Sequence, residues 1–444
     1  MKLNYKRTFF IGLAFLSISA FWQLYDSIVP LVLKNTFGFD EAVTGTIMAL
    51  DNVLAIFLLP LFGNLSDHTK TKLGKRTPYI VVGTIIASCA MLLIPTANQQ
   101  KNLIMFIIAL GVALIAMGSY RSPAVALMPD LTPKPLRSKA NAVINLMGAV
   151  GGIYALIMIR FLVPEEEDPN YIPLYISVLS LMIIAVILLL LIVRENKIAQ
   201  EVEAQNLELE QLTQSVGKQG NQAYGKVIDT DAAVLVEGEH DMSPEVRKSF
   251  RFLLASIFLW FTAYNAVTTA FSRYAQEVWG LGGGSFANCL MVAMGAAIVS
   301  YIPIGIISSR IGRKKTIVTG ILLMTASYFF GCFFLQYSPL IYLVFVFTGI
   351  GWAAINVNSY PMVVEMSKSS NIGKYTGIYY TFSMAAQIFT PIFSGILLDF
   401  SYHTLFPYAV IFSFASFFTM LFVKHGDCIP LQKKSILEHY DVED

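Results

Sequence analysis

Apolar residues gather in twelve long runs separated by short polar breaks. They lie at approximately Thr8–Leu33, Val43–Leu65, Tyr79–Pro95, Leu103–Met128, Ala142–Val163 and Leu174–Val193, then Phe250–Phe271, Phe286–Ile307, Thr316–Leu335, Leu340–Met362, Tyr375–Leu398 and Leu405–Val423. Each is close to the roughly 17–25 residues that a helix needs to cross a hydrocarbon core of about 30 Å. The pattern predicts an all-α integral membrane protein with twelve transmembrane helices in two six-helix halves. The halves fall at 1–193 and 250–424, joined by a polar cytoplasmic linker at 194–249 and followed by a cytoplasmic tail at 425–444.

Composition agrees with a bilayer as solvent: 55% of the 444 residues are hydrophobic, 14% are charged, and mean hydropathy is +0.62. The charges that remain give an orientation, because Lys and Arg concentrate in cytoplasmic loops near span ends. With both termini inside, all but five of the 31 Lys and Arg residues fall on the inner side; the exceptions are Lys34, Lys101, Arg121, Arg160 and Arg273. Topology thus explains the basic loops, and nucleic acid is not an expected partner. The first span follows Lys2, Lys6 and Arg7 and contains Ser17-Ile18-Ser19, features shared with a cleavable signal. Its apolar run continues to Leu33, beyond an h-region of about 7–15 residues, so retention is expected, with multi-pass insertion in the cell membrane.

Cys89, Cys289, Cys332 and Cys428 are scattered and form no pair at metal-ligand spacing, so neither a disulfide framework nor a metal site is expected. No Walker loop, His/Glu cluster or Ser–His arrangement appears, which argues against an enzyme and against a bound cofactor. Within the linker, Gln200–Gln219 is rich in Gln and Glu. It is open to two readings, a solvated connector or an amphipathic helix using Ile198, Val202, Leu207 and Leu209.

A weak internal repeat joins the halves. Gly63-Asn64-Leu65-Ser66-Asp67 followed by Gly74-Lys75-Arg76 connects spans two and three, and Gly305 to Ser309 followed by Gly312-Arg313-Lys314-Lys315 connects spans eight and nine. This loop resembles the signature of the major facilitator superfamily. The longer form here, ending Arg76-Thr77-Pro78-Tyr79, is similar to that of the glycoside–pentoside–hexuronide:cation symporters and the sucrose/proton symporters. Pro123 to Pro129 with Asp130-Leu131-Thr132, then Arg137 to Asn141, resembles their span four to five junction. The resemblance implies alternating access around a site near the bilayer midplane. It also implies a gating loop in which Asp67 faces the start of span eleven, where Ser370 or Asn371 would cap the helix. Gly63, Gly74 and Arg76 belong to the same loop. The second copy has Ser309 in place of the acid, so one such lock is expected.

Ionisable groups at membrane depth cost about 2.5–3.5 kcal/mol on insertion scales and mark transport routes. Asp26, Asp51 and Arg121 are the candidates for proton coupling. Asp26 shares a face of span one with Ser19, Trp22 and Gln23, an acid, an amide and an aromatic plane suited to a sugar. Sodium-coupled relatives in the resembling group carry acids in span two where this chain has Ala55 and Leu59, which implies protons rather than sodium as the driving ion. Arg121 stands where those symporters carry an acid. Counting residues puts it roughly 10–15 Å nearer the cytoplasm than Asp26. Candidate substrate-binding residues are Trp22, Gln23, Tyr120, Asn265, Trp352, Asn356, Tyr380 and Gln387; Trp352 and Asn356, one turn apart, lead. The expected activity is proton-coupled symport of a sugar or glycoside by a monomer, with a proton-driven exporter of a drug, metabolite or amphiphile as the alternative.

Overall fold

The computed structural model describes residues 3–133, 136–166, 168–207, 243–366 and 372–427. Among these, twelve long helices follow the twelve apolar runs. They are α1 Tyr5–Asn35, α2 Glu41–His68, α3 Thr77–Gln99, α4 Leu103–Asp130, α5 Arg137–Leu162, α6 Ile172–Ile192, α7 Pro244–Trp279, α8 Ala287–Ile311, α9 Arg313–Gly331, α10 Ile341–Glu365, α11 Ile372–Phe400 and α12 Leu405–Leu421. Eleven are long and apolar enough to cross a membrane. The helix not among them, α9, is 19 residues long and spends three on Arg313, Lys314 and Lys315. It also ends at Gly331, short of the expected Leu335, because Cys332 to Phe334 turn on themselves.

Helix starts are set by local chemistry. The side chains of Asn4, Asp40 and Asn102 accept from the amides of Arg7, Val43 and Met105 at 3.0, 2.8 and 3.0 Å, satisfying amides that the first helical turn leaves open. Pro78 and Pro173 sit in the first turns of α3 and α6, where no amide is needed.

The chain divides into two compact units. The first holds residues 1–241 together with 269–291, and the second holds 242–268 and 292–444. The last third of α7 and the start of α8 therefore count with the first unit, although α7 runs unbroken from Pro244. In the first unit α1 is buried along most of its length, packed on α5, α6 and α4, and α3 packs on α4. In the second, α9 packs on α10 and α12. Gly320 and Gly351 permit the α9–α10 approach: a Cβ on Gly320 would lie 2.7 Å from the Gly351 carbonyl oxygen. Large apolar side chains such as Phe57, Ile104, Leu191, Val299 and Ile302 remain exposed, as expected of a surface solvated by lipid.

The polar segment after α6 is helical over 195–207, with Val202 buried and Leu207 exposed. Its described part is thus a helix, and Leu209 lies outside the described residues. So do Cys428, Ser370 and Asn371.

Candidate functional site

In the first unit α1, α2 and α4 bring together the three ionisable residues singled out in the spans. The Arg121 guanidinium carbon lies 5.6 Å from the centroid of the Trp22 ring, within cation–π range. Asp26, one turn after Trp22, interacts electrostatically with both Asp51 and Arg121, and Asp51 also feels Arg121. Arg121 of α4 therefore meets α1 at Trp22, one turn before Asp26. Two carboxylates and one guanidinium leave a net charge of −1 when all are ionised, and one added proton brings the group to neutrality.

Asp51 is held by its neighbour. Its Oδ1 accepts from the Asn52 amide at 2.6 Å and from Asn52 Nδ2 at 2.7 Å. The buried Tyr25 interacts electrostatically with both acids, and its hydroxyl reaches Met48 O at 3.5 Å. Trp22 is wedged edge-on against Phe21 and Tyr25, with centroids at 5.2 and 5.5 Å. Its Nε1 is buried with no hydrogen-bond partner among the described residues. Gln23 turns its amide to Ser27 Oγ at 3.0 Å, and Ser19 faces α5, 3.0 Å from where a Gly148 Cβ would sit. Hence the acid and the indole of the α1 face meet α2 and α4, while the serine and the amide do not share that role.

Tyr120 is fully buried. Its hydroxyl pairs with Ser17 Oγ and donates to Ala14 O at 3.2 Å. These contacts tie α4 to α1, so the ring packs between helices rather than presenting a free hydroxyl.

In the second unit Trp352 of α10 stacks flat on Tyr264 of α7, at 3.7 Å and 4°, with Phe261 edge-on at 5.3 Å. Asn356 hydrogen-bonds Tyr301 of α8, a partner not visible in the spacing of α10. Asn265, partly buried, follows Tyr264. Tyr380 belongs to another aromatic group, with Tyr360 and Tyr379 at 6.4 and 5.3 Å, and Gln387 Nε2 donates to Ser383 O of its own helix at 3.2 Å.

The loop between α2 and α3 folds around Arg76, which is buried. Its guanidinium pairs with Asp67, donates to Asp130 Oδ2 at 2.9 Å and reaches Gly63 O at 3.2 Å, while Lys75 adds a bond to Asp130 at 3.1 Å. Beneath it lies Glu195, buried, whose carboxylate accepts from the amides of Lys75, Arg76 and Thr77 and from Thr77 Oγ1 at 2.6–2.9 Å. This caps α3 with a negative charge at the positive end of its dipole. Gly74 has φ +122°, and a side chain there would overlap that carboxylate. The second unit repeats the device. Asp427, after α12, accepts from Arg313 N at 2.6 Å and Lys314 N at 3.2 Å beside Gly312 at φ +97°, and Arg313 pairs with Glu365 at 2.7 Å. Sequence reading missed both capping acids, since each lies more than a hundred residues from its partner in a polar stretch with no local signal.

Among the described residues no three His, Cys, Asp or Glu side chains converge as a metal site.

A Major Facilitator Superfamily model matches residues 11–302 and 289–435. Over 151 residues the chain is 26% identical to the sucrose transport protein SUC3 of Arabidopsis thaliana, covering 30% of this chain and 25% of the relative. Over 115 residues it is 29% identical to a lactose permease of Lactobacillus helveticus, covering 25% of this chain and 18% of the permease. The matched stretch thus spans a quarter or less of each relative's length. In fold, the chain is similar to a POT family transporter in complex with a thioalcohol-conjugated peptide, with a TM-score of 0.67 at 11% identity over 95% of each chain. It is also similar to the inward-open xylose transporter XylE from E. coli, with a TM-score of 0.64 at 14% identity over 98% of each. Twelve long helices, the duplicated Gly–basic loop and a family match over nearly the whole length lead to one conclusion: the chain belongs to the Major Facilitator Superfamily and is a multi-pass membrane transporter.

Proposed function

We propose that this transporter carries a sugar or glycoside together with a proton by alternating access, as a monomer with both termini cytoplasmic. The observation that carries the reading is the grouping of Asp26, Asp51, Arg121 and Trp22 in the first unit. An uncompensated charge at membrane depth is costly, so this group favours crossing when one proton has neutralised it. Protonation also turns a carboxylate acceptor into a donor, which changes how it bonds a polyol hydroxyl and links the two cargoes. The indole of Trp22 offers an apolar face of the kind sugars present C–H groups to. The similarity to sucrose and lactose carriers points to the same cargo class.

Opposite charges in one site would also suit a zwitterion, and one solved structure of similar fold holds a peptide conjugate. The test is uptake of labelled mono- and disaccharides, dipeptides and nucleosides into proteoliposomes under an imposed inward proton gradient, repeated under a sodium gradient. Gradient-driven uptake of a sugar alone supports the proposal. Uptake of a dipeptide in its place, or dependence on sodium, overturns it.

A further inference from the structure

The two acids of the first-unit group are held differently. Asp51 Oδ1 accepts twice from the next residue of α2, from the Asn52 amide at 2.6 Å and from Asn52 Nδ2 at 2.7 Å. Asn52 is only 9% exposed, so its side-chain amide is withdrawn from solvent and spent on that carboxylate. The Asp26 carboxylate on α1 accepts no hydrogen bond among the described residues, and the charges that act on it are those of Asp51 and Arg121. Tyr25, the other titratable group facing both acids, directs its hydroxyl to Met48 O at 3.5 Å.

The Asn52 contact is not the ordinary way to satisfy a buried amide in a helix. Asn358 of α10 shows that way: its Nδ2 donates to Ala354 O, one turn earlier, at 2.8 Å. Consecutive side chains on a helix do not face each other, so Asn52 and Asp51 meet only because both turn toward one another. The consequence is electrostatic. A donor on a carboxylate oxygen stabilises the anion more than the acid, since the ionised oxygen is the stronger acceptor. Two such donors, both at short distance, equip Asp51 to stand as an anion opposite Arg121, with which it interacts. Asp26 lacks that support. One proton entering the group thus has a preferred seat. The resulting state, Asp51 ionised against Arg121 with Asp26 neutral, carries no net charge, which is the least costly condition at membrane depth.

We propose that Asn52 is the positioning residue that assigns the proton: by donating twice to Asp51 it keeps that acid as the standing anion and leaves Asp26 to take up and release the proton. The proposal rests on the reading of this group as the proton carrier, and on no particular cargo.

The test is infrared difference spectroscopy of the full chain in lipid, without solute or gradient, following the C=O stretch of protonated carboxyls as pH is stepped from alkaline to mildly acid. In the parent, the first buried-carboxyl band to appear is expected to vanish in Asp26→Asn and to survive in Asp51→Asn. Removing the side-chain donor frees the second acid to compete. In Asn52→Leu combined with Asp26→Asn a band is therefore expected to return, over the pH range where Asp26→Asn alone shows none. It is expected to be lost again when Asp51→Asn is added. Asn52→Ala removes the same donor and replaces Asn52→Leu if that variant is not recovered folded. A parent band that persists in Asp26→Asn or vanishes in Asp51→Asn overturns the proposal, as does absence of the returning band in the combined variant. An Asn52 with a merely structural role would alter folding without moving a proton from one acid to the other. Because the band is read with no solute present, failure of the sugar assignment or of symport leaves this result decidable.

Discussion

Arg121 holds its guanidinium carbon 5.6 Å from the centre of the Trp22 ring, one helical turn from Asp26 on α1. A planar, delocalised cation on an aromatic face is a geometry that an ammonium group does not reproduce. Arg121→Lys therefore preserves charge but loosens the stack. It is expected to weaken sugar binding by roughly tenfold, about 1.4 kcal/mol, within the range for a desolvated cation–π contact. Equilibrium binding of the labelled sugar to purified protein measures it, and an unchanged affinity would count against Arg121 as a site residue.

Tyr120 presents the opposite case. Its hydroxyl serves Ser17 and Ala14 inside the bundle, so Tyr120→Phe is expected to lower unfolding stability by about 1 kcal/mol, the usual worth of a buried hydrogen bond. Sugar affinity is expected to stay the same. A thermal melt and a binding isotherm on one preparation separate the two effects.

Glu195 accepts four hydrogen bonds at the start of α3 while buried. Glu195→Gln replaces one acceptor oxygen with a donor facing backbone amides and is expected to cost about 2–3 kcal/mol. Asp67→Asn is expected to cost less than about 1 kcal/mol, since Asp67 is 55% exposed and solvent screens its pairing with Arg76. Thermal unfolding of the two variants side by side tests the ordering.

Gly74→Ala and Gly312→Ala are expected to destabilise their own units. Each places a Cβ at positive φ and against a capping carboxylate, Glu195 or Asp427. Gly295→Ala, which meets nothing within 4 Å, is the control and is expected to melt with the parent.

The helices were legible because a lipid-spanning run needs only length and apolarity, and α1 to α12 lie within a few residues of the runs, apart from α7, which starts before Phe250 and runs on past Phe271 to Trp279, and the early end of α9. Asp26, Asp51 and Arg121 were legible because charge inside an apolar run is conspicuous. How Arg121 meets α1 was not, since residue counting measures depth along a helix and not the reach of an Arg side chain. Glu195 and Asp427 were hidden for a related reason: an acid in a polar segment carries no mark of the helix it caps. Lys34 and Arg273 appeared only as exceptions to a charge rule, and their explanation lies in their ion pairs with Glu277 and Glu41. The duplicated loop was legible as a motif, but the pairing of Arg76 with Asp130 needed the end of α4 brought beside it.

Coupling through Asp26 is tested most directly by proton movement with no imposed gradient. Proteoliposomes loaded with a pH-sensitive dye are given a transported sugar from outside, in the parent and in Asp26→Asn. Proton-coupled symport predicts acidification of the lumen on sugar addition in the parent. In the variant it predicts none, although labelled sugar still exchanges across the membrane. Sugar entry without acidification in the parent, or acidification that persists in Asp26→Asn, would contradict the role of Asp26 as the coupling acid.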